Sequence, residues 1–209
     1  MLALVLALSA TACGSSAKHA GFSARVDNKW FPLLPGTRLV YRGVKDGRRA
    51  RDVVTVSHET KTIDGAPCAI VRDRLYLNGR LEERTTDWYT QDGRGNVWYY
   101  GEATAELDPS GKVKSTEGSW QAGRNGAKPG VYMPAQPKVG QSGRQEYYKG
   151  QAEDHFEVLN VTRHQVITKE WTPLEPGVID HKLYRRGTGT VLEQTVRGGD
   201  ERLRLVSKS

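Results

Sequence analysis

Residues 87–102 read DWYTQDGRGNVWYYGE. These sixteen residues hold two of the chain's five Trp and three of its nine Tyr. Two aromatic runs flank Asp92-Gly93-Arg94-Gly95-Asn96. That cluster is turn chemistry, because Gly supplies positive φ and Asx side chains bond the neighbouring backbone. Runs of Trp, Tyr, Val and Thr around such a cluster predict a β-hairpin. Rings of this size bury on the order of 150–250 Å² each, so the hairpin is the largest local block of prospective core.

Outward from the hairpin, short extended runs alternate with turn signals. Upstream, Trp30-Phe31 reads as a plug, Pro32 and Pro35 exclude a helix, and Gly36 leads into a strand over Thr37–Arg42. Arg51–Thr60 follows, then an Asp64-Gly65 turn and Cys68–Leu77. In that last run Ala69, Val71, Leu75 and Leu77 share one face, and Ile70, Arg72, Arg74 and Tyr76 share the other. Asn78-Gly79 is the strongest short hairpin signal, and it joins Cys68–Leu77 to Leu81–Gln91. Asn96–Leu107 and Lys112–Thr116 come next. Residues 118–143 are irregular and rich in Gly, Pro and Ala, which predicts a packed crossover or lid. Six further strands are expected: Arg144–Lys149, Ala152–Thr162, Gln165–Thr172, Val178–Arg186, Thr190–Arg197 and Glu201–Ser207. The gaps are too short for crossover helices. The predicted fold is mostly β, a single antiparallel meander forming a curved sheet, half-barrel or barrel.

The 209 residues suit one domain. The charge is +7 and the isoelectric point about 9.4. Part of the excess is local, in the basic turn of residues 44–51, VKDGRRAR. No nucleic-acid reader motif accompanies it, so nucleic acid is not an expected partner. The two cysteines, Cys13 and Cys68, give no disulfide framework. Cys68 reads as a small buried hydrophobe.

Residues 1–13, MLALVLALSATAC, form an apolar run followed by small residues and Cys13. The run is too short to span a bilayer and reads as an export signal. It resembles the lipobox of bacterial lipoproteins, with Ala10 where Leu is usual. That resemblance implies lipidation of Cys13, attachment to the outer face of the cell membrane, and a cleaved, secreted form as the alternative. The expected organisation is a signal segment at 1–13, a flexible tether at 14–28 and a β-rich domain at 29–209. The missing basic n-region places the expected translation start upstream of Met1.

Long phrases carry a wider resemblance: DNKWFPLLPGTRLVYRG, residues 87–102, STEGSWQAGRNGAKPGVYMPAQPKVG, RQEYYKGQAEDHFEV and TKEWTPLEPGVIDHKLYRRGTGTVLE. Together they resemble a widespread family of uncharacterised bacterial exported proteins. The resemblance implies a shared fold and export, and brings no activity with it.

Catalytic motifs are lacking: there is no G-x-S-x-G, P-loop, H-E-x-x-H or paired C-x-x-C. The densest polar cluster alternates Glu153, His155 and Glu157 on one strand face against Asp154, Phe156 and Val158 on the other. With His181 these groups form a candidate divalent-metal site. Glu146, Glu170 and Glu175 lie near aromatics and read as surface or cavity-rim groups. No cofactor is expected. The expected function is a non-enzymatic binding module for a small apolar ligand or lipid, its pocket lined by Trp88, Tyr89, Trp98, Tyr100, Trp120 and Trp171. The alternatives are a structural or protein-interaction lipoprotein with a filled core, and a metal-dependent envelope hydrolase.

Overall fold

The computed structural model describes residues 21–209. Cys13 and the rest of the expected signal segment lie outside these residues. The strands are β1 (Arg38–Lys45), β2 (Arg48–Ile63), β3 (Ala66–Leu77), β4 (Arg80–Gln91) and β5 (Val97–Leu107). Shorter pieces follow: β6 (Val113–Ser115), β7 (Trp120–Gln121), β8 (Lys128–Met133), β9 (Ser142–Arg144) and β10 (Glu146–Tyr147). The last third holds β11 (His155–Val161), β12 (Gln165–Trp171), β13 (Ile179–Arg185), β14 (Gly189–Arg197) and β15 (Arg202–Lys208). Among the described residues there is no helix.

All fifteen strands belong to one antiparallel sheet that curls into a nearly closed barrel. The order is β10-β8-β5-β4-β3-β2-β1-β15-β14-β13-β12-β11-β9, with β6 and β7 also on β5. The first and last strands of that path are neighbours in the chain. β9 pairs with β11 and β10 pairs with β8, and Gln145 alone separates β9 from β10. One segment therefore carries both edges and shuts the barrel covalently, which leaves little free edge to pair with another chain.

Residues 118–143, expected to be a crossover or lid, supply β7, β8 and the start of β9. They extend the sheet beyond β5 instead of covering it. The local signal is weak because these strands are two to six residues long and rich in Gly. Gly101 allows the approach: its φ is +134°, and a Cβ there would sit 2.4 Å from the Trp120 carbonyl oxygen. The β4–β5 hairpin forms as predicted, with a bulge. Trp88 opposes Gly101 and Tyr89 opposes Tyr99, so Tyr100 is the extra residue.

The two ends of the barrel differ. At one end, residues 21–35 fold in as a plug. Residues 21–28 fall in the expected tether yet lie on the barrel, with Val26 fully buried. Ser23 bridges Gln91 and Val26 bridges Leu33. Asn28 ties the plug down: its Nδ2 donates to Gly95 O at 2.9 Å and Pro134 O at 3.3 Å, and its Oδ1 accepts from Trp30 N at 2.8 Å. Gln91 Oε1 accepts from Asp27 N and Asn28 N. At the other end the β1–β2 turn is held to the β14–β15 connection, where Asp200 accepts from Asp46 N and Gly47 N at 2.8 and 2.7 Å.

Two apolar clusters fill the ends. The larger runs from Val26, Trp30 and Leu33 of the plug to Phe156, Val158 and Tyr184. The smaller holds Leu39, Tyr41, Ala50, Leu75, Leu77 and Leu203. Cys68 belongs to the larger one, fully buried, and burial pushes its thiol up to about 12.

Candidate functional site: an acidic cavity inside the barrel

Between the two apolar clusters lies a cavity of about 330 Å³. Strand alternation builds its wall, since every second residue of a barrel strand faces inward. β4 contributes Glu83, Thr85, Asp87 and Tyr89 in strict alternation. β3 contributes Val71, Asp73 and Leu75; β2 contributes Asp52 and Val54. β5 adds Tyr99 and Glu102, and β8 adds Tyr132. The closing segment adds Gln145 and Glu146, with Asp154 just before β11. Glu170, Lys182 and Glu193 come from β12, β13 and β14. Phe31 and Leu33 of the plug face one end. At the other, Lys45, Glu83 and Glu201 are only half-buried, and the cavity reaches the surface there.

Ten of the chain's 24 Asp and Glu line this space, against two of its 31 Lys and Arg. The remaining chain carries 29 Lys and Arg against 14 Asp and Glu. A basic exterior thus encloses an acidic interior.

Three of the acids have cationic partners. Lys182 Nζ lies 3.0 Å from Glu170 Oε2 and 3.3 Å from Glu193 Oε1, and Lys45 Nζ lies 2.6 Å from Glu201 Oε2. Glu170 Oε1 also accepts from Thr168 Oγ1 at 2.9 Å and from the Tyr184 hydroxyl at 3.1 Å. Burial opposes the Lys182 charge, but Glu170 and Glu193 outweigh it and hold the ammonium charged.

The other seven (Asp52, Asp73, Glu83, Asp87, Glu102, Glu146 and Asp154) form no ion pair among the described residues. Burial is the main cause that moves several of them upward. Glu102 rises to about 10, Glu146 to about 8 and Asp87 to about 7, with neighbouring carboxylates adding to each. Burial raises both Asp52 and Asp73, and Asp52 beside it raises Asp73 further. Asp154 is raised by burial as well. Asp87 Oδ1 accepts from the Tyr99 hydroxyl at 2.7 Å. Asp52 Oδ1, Gln145 Nε2 and Glu146 Oε2 are buried with no hydrogen bond of ordinary geometry, and the Trp120 indole N–H, unbonded as well, lies beside the Glu146 carboxyl and pulls it down against burial.

Of the six aromatic residues expected to line the pocket, Tyr89 does so. Trp98 and Tyr100 take the face covered by Phe22, with ring centroids 6.0 and 5.9 Å away. Trp88 and Trp120 line a smaller groove of about 280 Å³ beside Arg124 and Tyr148, with Glu102 bordering both spaces. Trp171 stacks on His155 at 5.5 Å. The rings that do line the cavity with Tyr89 are Phe31, Tyr41, Tyr99 and Tyr132. The bulge at Tyr100 sets this: it shifts the register so that Tyr99 and not Tyr100 stacks on Tyr89, at 4.8 Å.

The four groups of the candidate metal site have separate partners. Glu153 accepts from Gly150 N at 2.7 Å. Arg144 Nε donates to His155 Nε2 at 3.2 Å, Glu157 pairs with Lys169 at 3.6 Å, and His181 lies opposite Lys169 and Gln194. No group of three or more His, Cys, Asp or Glu among the described residues is arranged to hold a metal ion. Glu146 and Glu170, read as surface or rim groups, are buried in the cavity wall, and Glu175 is exposed. The inward carboxylates were legible in one respect. Alternation alone puts Asp73 on the face of Val71 and Leu75.

Fold and cavity define the class, an all-β barrel with a polar internal pocket. No protein-family model matches the chain, and no curated protein matches it. A crystal structure of a provisionally designated lipoprotein from Parabacteroides distasonis ATCC 8503 is similar over 86% of this chain and 98% of that one, at 10% identity and a TM-score of 0.44.

Proposed function

We propose that this protein is a non-enzymatic binding module of the cell envelope, and that its ligand is a small organic cation held inside the barrel. The single observation that carries this is the cavity wall, where seven carboxyl groups face about 330 Å³ with no cationic partner. Buried carboxylates are costly without a counter-charge. Lys182 supplies an internal example of what the cavity accepts, an ammonium between two carboxylates, 6.0 Å from the centre of the Tyr132 ring. The expected apolar cargo rested on six aromatic residues, five of which lie elsewhere; the polar wall favours a cation over a lipid. The open space favours a binding module over a structural protein with a filled core. Export and lipidation at Cys13 remain the reading of the sequence, and replacing Cys13 with Ser is expected to move the protein from the membrane to the soluble fraction.

Native mass spectrometry of the protein purified from its own host tests the ligand class. A co-purifying amine supports the reading. A co-purifying neutral lipid inside the barrel overturns it.

A further inference from the structure

The outer wall of the barrel carries a surface of opposite character to the cavity. Strands β15, β1, β2 and β3 are neighbours in the sheet, and they hold nine arginines against three acidic residues. Two of those acids, Asp52 and Asp73, turn into the cavity. The third, Glu59, pairs with Arg72 at 2.7 Å. Register collects the arginines. Arg204, Arg42 and Arg51 stand side by side across β15, β1 and β2, and the row ends on Tyr76 of β3. One step toward the mouth of the cavity, Arg202 and Arg49 flank Val44. All five of these arginines are exposed, and none forms an ion pair among the described residues.

Neighbouring strands lie about 4.8 Å apart, and like charges directly opposite destabilise a sheet. The stability of the domain alone therefore disfavours this arrangement, and an anionic surface supplies the missing counter-charge. The side chains among the arginines narrow the kind of surface. Val44 is 40% exposed, and Val206, at the bulge of β15 against β1, is 54% exposed. Arginine heads reach phosphates, while their stems and neighbouring apolar side chains suit the boundary between headgroups and acyl chains. A soluble polyanion would meet the arginines and leave the valines in water.

We propose that this face docks the barrel on the anionic headgroups of a phospholipid membrane. The docking does not depend on what the cavity holds. It lays the barrel on its side and sets the cavity rim at Lys45 and Glu201, next in sequence to Val44 and Arg202, beside the headgroups.

Flotation of the full chain carrying Cys13→Ser with vesicles tests this. Phosphatidylcholine alone is compared with phosphatidylcholine containing about 30% phosphatidylglycerol. Binding by the apolar residues 2–8 is common to both. Binding to the anionic vesicles is expected to be about tenfold or more tighter, and the difference is expected to vanish in 0.5 M NaCl. Replacing Arg42, Arg51 and Arg204 together by Gln is expected to bring binding down to the phosphatidylcholine level. The same loss of charge at Lys112, Lys138 and Arg163, exposed residues off this face, is expected to change it less than threefold. Equal loss in both triple variants overturns the proposal, because net charge and not the face would be responsible. Equal binding of the Cys13→Ser chain to the two kinds of vesicle overturns it as well, and that comparison stands even if a triple variant fails to fold. Binding of long-chain polyphosphate without any preference for anionic vesicles replaces the membrane with a soluble polyanion.

Discussion

The Tyr99 hydroxyl donates a 2.7 Å hydrogen bond to Asp87 Oδ1 in the buried wall of the barrel. Burial pushes the Asp87 carboxyl up to about 7, and this bond pulls it back. Tyr99→Phe removes the donor and drives Asp87 higher still. The expected cost is about 1–3 kcal/mol, larger at pH 8, where the anion loses its donor, than at pH 5. Urea denaturation at the two pH values checks this. An equal loss at both would mean that only ring packing was disturbed.

Raised carboxyls make the empty barrel sensitive to alkali. The native state keeps protons on Asp87, Glu102 and Glu146 above the pH at which the unfolded chain releases them. Native binding of more protons means that stability falls as pH rises. The contribution is complete below about pH 4, near the unfolded carboxyl pKa. It is lost through about 7 for Asp87, about 8 for Glu146 and about 10 for Glu102. Melting temperature is therefore expected to drop by several degrees from pH 5 to pH 9, and Glu102→Gln to flatten the drop. A curve that rises over that range contradicts the assignment.

Asn28 holds the plug through four hydrogen bonds of one side chain. Asn28→Ala leaves Trp30 N and the Pro134 carbonyl short of a partner inside the protein. The expected cost is about 2–4 kcal/mol, from more than one lost buried bond at about 1–3 kcal/mol each. Limited proteolysis is expected to cut between residues 21 and 35 before it reaches the strands. Cleavage that starts elsewhere would show that the plug is held by packing of Trp30 and Leu33 alone.

On the outer face, Arg42 lies directly between Arg204 and Arg51 in the register of β15, β1 and β2. None of the three has an ion-pair partner among the described residues; Arg51 instead lies over the Tyr76 ring at 4.1 Å. Like charges directly opposite on a sheet repel. Arg42→Glu is expected to stabilise the protein by about 0.5–1 kcal/mol, a rise of roughly 2–4 °C at most in melting temperature. The gain should shrink in 0.5 M salt. Destabilisation would mean that the Arg42 methylenes cover Val40 or Val44 more than the charge repels.

Much of the fold is legible in the sequence. Strand boundaries from β1 to β5 and from β11 to β15 follow turn residues such as Asn78-Gly79 and Asp64-Gly65, because φ-permissive residues must sit where the chain reverses. The period of two fixes which residues share a face, so Phe156 and Val158 turn inward while His155 and Glu157 turn out. These are local consequences of backbone geometry, and one strand is enough to read them.

The site is different in kind. A one-residue bulge exchanges Tyr100 for Tyr99 at the cavity, and nothing in WYYG announces it. A carboxylate on an apolar face, such as Asp73 between Val71 and Leu75, is ambiguous within its own strand. Its surroundings come from β2 and β4 and from the far wall. The sequence by itself determined a β meander with its inward and outward faces. Only closure of the barrel, through the segment around Gln145, decided that ten carboxyls scattered from Asp52 to Glu201 would share one enclosed space. The physical reason is that burial and charge interaction depend on through-space distance, whereas sequence pattern records only neighbours along the chain.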